Sequence, residues 1–291
     1  MLAGPIPNQV LISNWFERKR GRAMGVAYVG LGLGGAVAPR LVAYLIAQFG
    51  WRRAFEITGV LIMAVLFPVG WLVTRSRPEE LGLRREGARE PNKPTTEPLN
   101  VRRALAARNF WLILVGSTLV IGAIGTVIQQ FVLFLRDQGY STAEASKISS
   151  ALLVSGLAGR ILVGFLADRF RKKNVMALFY FLLAAAIPLL VAARQAKAIW
   201  SFALVFGFAM GADYMLIPLV TAECFGLASL GQLLSLIIMA DSLGQWFGPW
   251  LAGRIFDVTG SYNSAWAVMT AAGIAGAVAI YAVDPKRNTA S

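Results

Sequence analysis

The chain has 291 residues, 57% of them hydrophobic and 15% charged, with a mean hydropathy of +0.61; such proportions exclude an ordinary water-soluble domain and describe a polytopic membrane protein. Its net charge of +13 does not make it a nucleic-acid binder, because the lysines and arginines sit in short segments between apolar spans. No histidine and a single cysteine, Cys224, exclude a histidine triad, a histidine-ligated metal and an intrachain disulfide, so no enzyme, resident metal or cofactor is expected.

Residues 1–16 are apolar but contain Pro5 and Pro7 and are too short to cross a bilayer as one helix. They read as the tail of a span. Arg18, Lys19, Arg20 and Arg22 follow this run instead of preceding it, so it is not a secretory signal. Apolar spans are predicted at 23–49 and 53–74, followed by a polar stretch, 75–109, with Pro78, Pro91, Pro94, Pro98 and mixed charge. This stretch reads as an exposed linker, with a short basic helix over 100–108 as the alternative to a solvated connector. Six further spans are predicted at 110–135, 146–167, 174–193, 199–221, 232–255 and 262–283, which makes eight complete spans and a stub. The expected division is 1–74 as the remnant of a first bundle, 75–109 as the linker, 110–283 as a complete six-helix bundle and 284–291 as a tail.

Lysine and arginine set the sidedness. The segments 17–22, 75–109, 168–174, 222–231 and 284–291 hold 19 of them, and the loops on the other side hold 7. The richer side is expected to be cytoplasmic, which puts the linker and the C-terminus inside the cell membrane.

Segments near the start recur near the end. Trp15-Phe16 followed by Gly21 matches Cys224-Phe225 followed by Gly231, and Gly30 with Gly34 and Pro39 resembles Gly244 with Gly248 and Pro249. Gly50 with Ala54-Phe55 resembles Gly260 with Ala265-Trp266. The shared offset of about 210 residues points to two halves of similar design. By the same arithmetic the counterpart of Phe110 lies about 100 residues before Met1, so the first half is expected to lack three spans and most of a fourth.

At this point the chain resembles the major facilitator superfamily, twelve helices in two six-helix bundles. The segment 164–173, GFLADRFRKK, is similar to that family's G-x-L-A-D-R-x-G-R-K loop and departs from it at Arg171, where the family has glycine. WFERKRG at 15–21, GWRRAF at 50–55 and RPEELGL at 77–83 also look like family segments. The fold implied is an all-α membrane protein with a complete C-terminal bundle and an incomplete N-terminal one, acting as a monomer. Independently of the name, Gly164 allows close helix approach, and Asp168 can take hydrogen bonds from a neighbouring helix N-terminus or pair with a base. With Arg169 and Lys172 it is expected to form a breakable cytoplasmic latch.

Three ionisable residues of the second half, Arg160, Asp213 and Asp241, stand at similar depth, about 12–14 Å from the cytoplasmic edge by helix rise. They are expected to meet at the midplane around a wet cavity, since an arginine at the bilayer centre costs roughly 2.5–3.5 kcal/mol on insertion scales. Gly122, Gly125 and Gln129, Ser149 and Gly156, and Gln245 extend the same helix faces, where the glycines serve packing more readily than a cavity. Arg40, after Pro39, either faces the cavity or pairs with an acid of the absent helices, and its helix can be broken there. Glu56 and Glu223 read as interfacial.

Within the superfamily, Gly159-Arg160 followed by Gly164, Asp168 and Arg169 looks like the eighth helix of bacterial monocarboxylate transporters and oxalate/formate antiporters, as do GADY at 211–214, GPW at 248–250 and DVTGSY at 257–262. The resemblance implies that Arg160 pairs with a substrate carboxylate. Asp241 stands where oxalate-type members have a second cation, and one cation beside an acid suits a small organic anion, a monocarboxylate, moved with a proton. The expected site is Arg160, Gln129, Gln245 and Arg40 for substrate, and Asp241 or Asp213 for the proton. A facilitator exporting drugs or metabolites, with Arg160 as counter-ion to an aspartate, is the first alternative, and a non-transporting fragment the second.

Overall fold

The computed structural model describes residues 4–87 and 101–285, without the side chains of residues 31, 35, 36, 39, 40 and 73. Its elements are helical. They are α1 (Pro5–Trp15), α2 (Arg20–Pro68), α3 (Val101–Ala106), α4 (Arg108–Asp137), α5 (Thr142–Arg169), α6 (Lys172–Ala186), α7 (Ala196–Met210), α8 (Asp213–Phe225), α9 (Leu230–Thr259) and α10 (Asn263–Tyr281). Among the described residues, six helices are long and apolar enough to cross a membrane. That count leaves out two expected spans: 232–255, in α9, which is less apolar, and 23–49, in α2, which includes residues whose side chains are not described. In α9, Ser235, Asp241, Ser242 and Gln245 lower the hydropathy, and the glycines let neighbours approach.

α2 is two limbs joined at Gly50, whose φ of 75° and ψ of 163° interrupt the helix. Residues 75–87 return to the turn that precedes Arg20, so the second limb runs back alongside the direction of the first. The break expected at Pro39 is not there, because the backbone stays helical through it. The side chain of Arg40 lies outside the described residues.

The C-terminal bundle, α4 to α10, is held by a continuous apolar core in which Trp266, Tyr180, Phe110, Phe131, Phe179, Phe202 and Phe206 are fully buried. Chain direction is set by local signals. Ser141 and Glu144 form a reciprocal capping box at the start of α5, and Gly260 ends α9 with a φ of 65°. α4 packs on α9, α5 on α7, and α10 on both α4 and α6. The N-terminal part touches this bundle along two lines, α2 on α5 and α1 on α9.

Contacts gather one set of segments on one face. Asp168 meets Gly21, Lys172 faces Glu223 at 3.8 Å, Lys173 reaches the carbonyls of Tyr281 and Val283, and Asn109 bonds the backbone of Asp284. On the opposite face, the Tyr140 hydroxyl donates to the Ala193 carbonyl at 2.7 Å.

Over its first third the linker is mostly exposed, as expected, but it is docked. Residues 75–87 are not a free connector, since they lie against residues 14–19 with Pro78 buried and a single bridge between Phe16 and Glu86. Proline and mixed charge had pointed to solvent. Here the charges pair with the α1–α2 turn instead, Lys19 with Glu86 and Arg85 with Glu17. The last part of the stretch forms α3, six residues with Ala104 buried, so the helical alternative holds there over the solvated connector.

Candidate functional site

Arg160 lies mid-way along the apolar length of α5 and turns toward α2. Its Nη1 donates to the Tyr28 carbonyl at 3.4 Å, and the side chain is half-buried. The approach is possible because α2 presents glycine here. A Cβ at Gly25 would stand 2.9 Å from the Arg160 carbonyl oxygen, and one at Gly32 would stand 2.6 Å from Nη1. No carboxylate pairs with Arg160 among the described residues. A cation at this depth with one long bond to a carbonyl is incompletely compensated.

The two aspartates do not join it. Asp241 is 1% exposed, inside the α4–α9 seam, where Oδ1 accepts from Ser117 Oγ at 2.8 Å and Thr118 Oγ1 at 3.2 Å. Asp213 is equally buried at the start of α8, where Oδ1 accepts from the Tyr180 hydroxyl at 2.8 Å. In each the second oxygen, Oδ2, has no partner among the described residues. The expected three-way meeting at the midplane is therefore replaced by two separate acid sites and one cation. The reason is local supply, since hydroxyls on α4 and α6 already donate to one oxygen of each acid.

From Arg160 a polar chain runs instead to Gln245, through three residues that sequence reading missed. Gln9 of α1 is buried, and its amide donates to the Tyr28 hydroxyl and, at 3.2 Å, to the Tyr214 carbonyl. The Tyr214 hydroxyl in turn accepts from Gln245 Nε2 at 2.5 Å. Thus Arg160, Tyr28, Gln9, Tyr214 and Gln245 form one line across the contact of the N-terminal helices with the bundle. Two signals were available, the amides Asn8, Gln9 and Asn14 in the apolar run 1–16 and a Gly21, Gly25, Tyr28, Gly32 stripe at helical spacing.

The remaining candidates are placed as follows. Gln129 is exposed, and it is Gln130 that turns inward, to the Pro249 carbonyl and Tyr262. Gly122 and Gly125 pack on Gly244 and Gln245, Gly156 packs on Gly207, and Ser149 has a buried hydroxyl without a partner. Arg169 is exposed, Glu56 is exposed, and Lys172 pairs with Glu223.

Asp168 is the best-connected charge at the end of α5. Its oxygens accept from the N–H groups of Gly21 at 2.6 Å and Arg22 at 3.1 Å, and Arg22 Nε lies 3.5 Å away. The Arg22 guanidinium also covers the Phe165 ring at 4.7 Å. Lys19, at the N-cap of α2, offers no side-chain cap, so a carboxylate from another helix takes that place. Gly164 permits it, with a would-be Cβ 2.9 Å from the Gly21 carbonyl oxygen.

The Major Facilitator Superfamily model matches residues 3–211 and again 122–291. The chain belongs to that superfamily. Monocarboxylate transporter 12 of Mus musculus is 28% identical over 288 residues, covering 89% of this chain and 58% of its own length. The MFS transporter asaE of Aspergillus flavus is 27% identical over 250 residues, covering 86% of this chain and 54% of its own. The chain thus spans little more than half the length of these relatives. Among solved structures, the E. coli fucose:proton symporter FucP superposes with a TM-score of 0.72 at 13% identity, over 95% of this chain and 72% of that one. These relatives are transporters rather than enzymes, the likeness to FucP shows a shared fold, and superfamily membership with six membrane-length helices among the described residues makes this a multi-pass membrane protein.

Proposed function

We propose that this superfamily member is a secondary transporter working by alternating access, and that it carries a small monocarboxylate with a proton across the cell membrane, its C-terminus cytoplasmic. The observation that carries the reading is Arg160, a half-buried guanidinium at mid-depth on the seam between the two parts of the molecule, held by one carbonyl and no carboxylate among the described residues. A carboxylate arriving there completes the compensation that the protein leaves open. The relationship to proteins named monocarboxylate transporters agrees with this cargo. Gln245, through Tyr214, is the nearest polar support for the cargo on the bundle side.

Of the two acids, Asp213 is the better proton carrier. It adjoins Tyr214, whose carbonyl holds Gln9 across the seam, so a change of charge at Asp213 is felt where the two parts must separate. Asp241 is enclosed within the bundle, between α4 and α9. The Asp168 contact with α2 is the cytoplasmic latch that closes when the cargo site faces outward. The experiment is uptake of labelled pyruvate or lactate by proteoliposomes under an imposed pH gradient. Gradient-driven uptake that is lost in Arg160→Gln supports the proposal, and equal uptake by that variant rejects it. Because the relatives are longer, the same assay on this chain and on one extended upstream by about 100 residues separates a working transporter from the remnant of one.

A further inference from the structure

We infer that Glu86, in the stretch after the second limb of α2, is a positioning residue for the latch: it is the standing cap of α2, and it holds the donors that Asp168 takes and releases. The inference deepens the transport reading through its latch, on which it rests.

The first turn of a helix leaves N–H groups without partners inside the helix, and a carboxylate is their best acceptor. At α2 two carboxylates divide them. Glu86 Oε2 accepts the N–H of Lys19 at 3.1 Å, with Oε1 3.7 Å from the Lys19 ammonium. Asp168 accepts the next donors, Gly21 and Arg22.

The two differ in how they are tied. Asp168 reaches across from α5 with its side chain alone. Glu86 is bound to the same turn by its backbone, accepting from Glu17 N–H at 3.0 Å and donating to the Trp15 carbonyl at 2.9 Å. Its neighbours extend the clasp, since Arg85 Nε donates to the Asn14 carbonyl at 2.9 Å and the Trp15 indole N–H to the Arg75 carbonyl at 2.9 Å. Gly87 lets the strands of this clasp meet. It has a φ of 84°, and a Cβ there would lie 2.6 Å from the Arg18 Cβ.

When α5 swings away, Asp168 leaves with it and Glu86 stays. Without Glu86 the open state would carry a helix whose first turn has no acceptor, and that turn would fray before the latch could re-form. Residues 75–87 therefore belong to the moving body that contains α1 and α2.

The test needs no cargo. Cys224, the lone cysteine, is replaced by serine, and Ala167→Cys supplies a reporter under the latch, since Ala167 is buried and its Cβ lies 3.1 Å from a Cβ built at Gly21. Maleimide labelling of the purified chain then reads latch opening. Loss of a cap predicts labelling about two- to fivefold faster in Glu86→Ala, and faster still in Asp168→Asn. Glu86→Gln, whose amide oxygen still accepts from Lys19, should label at nearly the parent rate. Gly87→Ala, which prises the clasp apart without touching the carboxylate, should follow Glu86→Ala. Parent-like labelling in both Glu86→Ala and Gly87→Ala, with acceleration in Asp168→Asn, overturns the inference. No acceleration in Asp168→Asn overturns the latch instead, so the two failures are distinct.

Discussion

Two seams in this molecule are built from small residues, and each holds an ionisable side chain at mid-depth. In the α4–α9 seam Gly122 faces the backbone of Gly244, and Asp241 receives two hydroxyl donors at 1% exposure. In the α2–α5 seam Gly21 faces Gly164 and Gly25 faces the backbone of Arg160, but Arg160 keeps a single 3.4 Å bond and remains half-buried. Similar backbone proximity thus serves opposite ends. The first seam supplies two hydroxyl donors to one oxygen of its acid from within, whereas the second offers its cation one carbonyl and, among the described residues, no carboxylate, so it gains from an anion that enters.

If the first seam is permanent, filling it must cost the fold. A Cβ at Gly244 would come within 2.6 Å of the Thr118 carbonyl oxygen, a backbone atom that cannot yield. Gly244→Val should therefore lower stability by about 1–3 kcal/mol, in the range of overpacked cores, seen as an earlier unfolding midpoint in detergent. An unchanged midpoint would mean that this seam is as loose as the other.

The second seam should answer in activity and not in stability. Arg160→Gln is expected to cut monocarboxylate uptake about ten- to hundredfold, as for loss of a hydrogen bond to a charged group, with the unfolding midpoint little changed. The acids sharpen the contrast. Asp213→Asn should flatten the dependence of uptake on the pH gradient, because Asp213 adjoins the Gln9–Tyr214 contact across the seam. Asp241→Asn should leave that dependence in place, since an amide oxygen can still accept from Ser117 and Thr118. The reverse pattern would move proton coupling into the closed seam.

These differences explain what could and could not be read in advance. Arg160 and Asp168 were legible because a charge inside an apolar span, or in a short basic loop after a glycine, is rare enough to signal a partner. Which partner was not legible. Asp241 is satisfied by Ser117 and Thr118, more than a hundred positions away in sequence, and Gln9 bonds Tyr214 from the far end of the chain. Spacing along one helix gives depth in the membrane but not azimuth, so three charges at equal depth were expected to meet when they face different neighbours. The six membrane-length helices among the described residues followed from apolar length. The clasp at 75–87 did not, because proline and mixed charge look the same in a free linker and in a segment whose charges are paired.

The smallest effect is the most discriminating, because it acts on Arg160 without removing it. An alanine methyl at Gly32 would fall 2.6 Å from Arg160 Nη1 and against the tip of Leu157, both ends of flexible side chains. Those tips can move, and alanine favours the helix over glycine by up to about 1 kcal/mol, so Gly32→Ala should leave stability nearly unchanged. The guanidinium, however, must leave the Tyr28 carbonyl for a less favourable rotamer, at a cost of about 0.5–1.5 kcal/mol. If the carboxylate binds the arginine in its present pose, KM for uptake should rise about two- to tenfold while the maximal rate holds, because that cost falls on binding alone. A fall in maximal rate with KM unchanged would place the role of Arg160 in the movement of the seam, not in holding cargo.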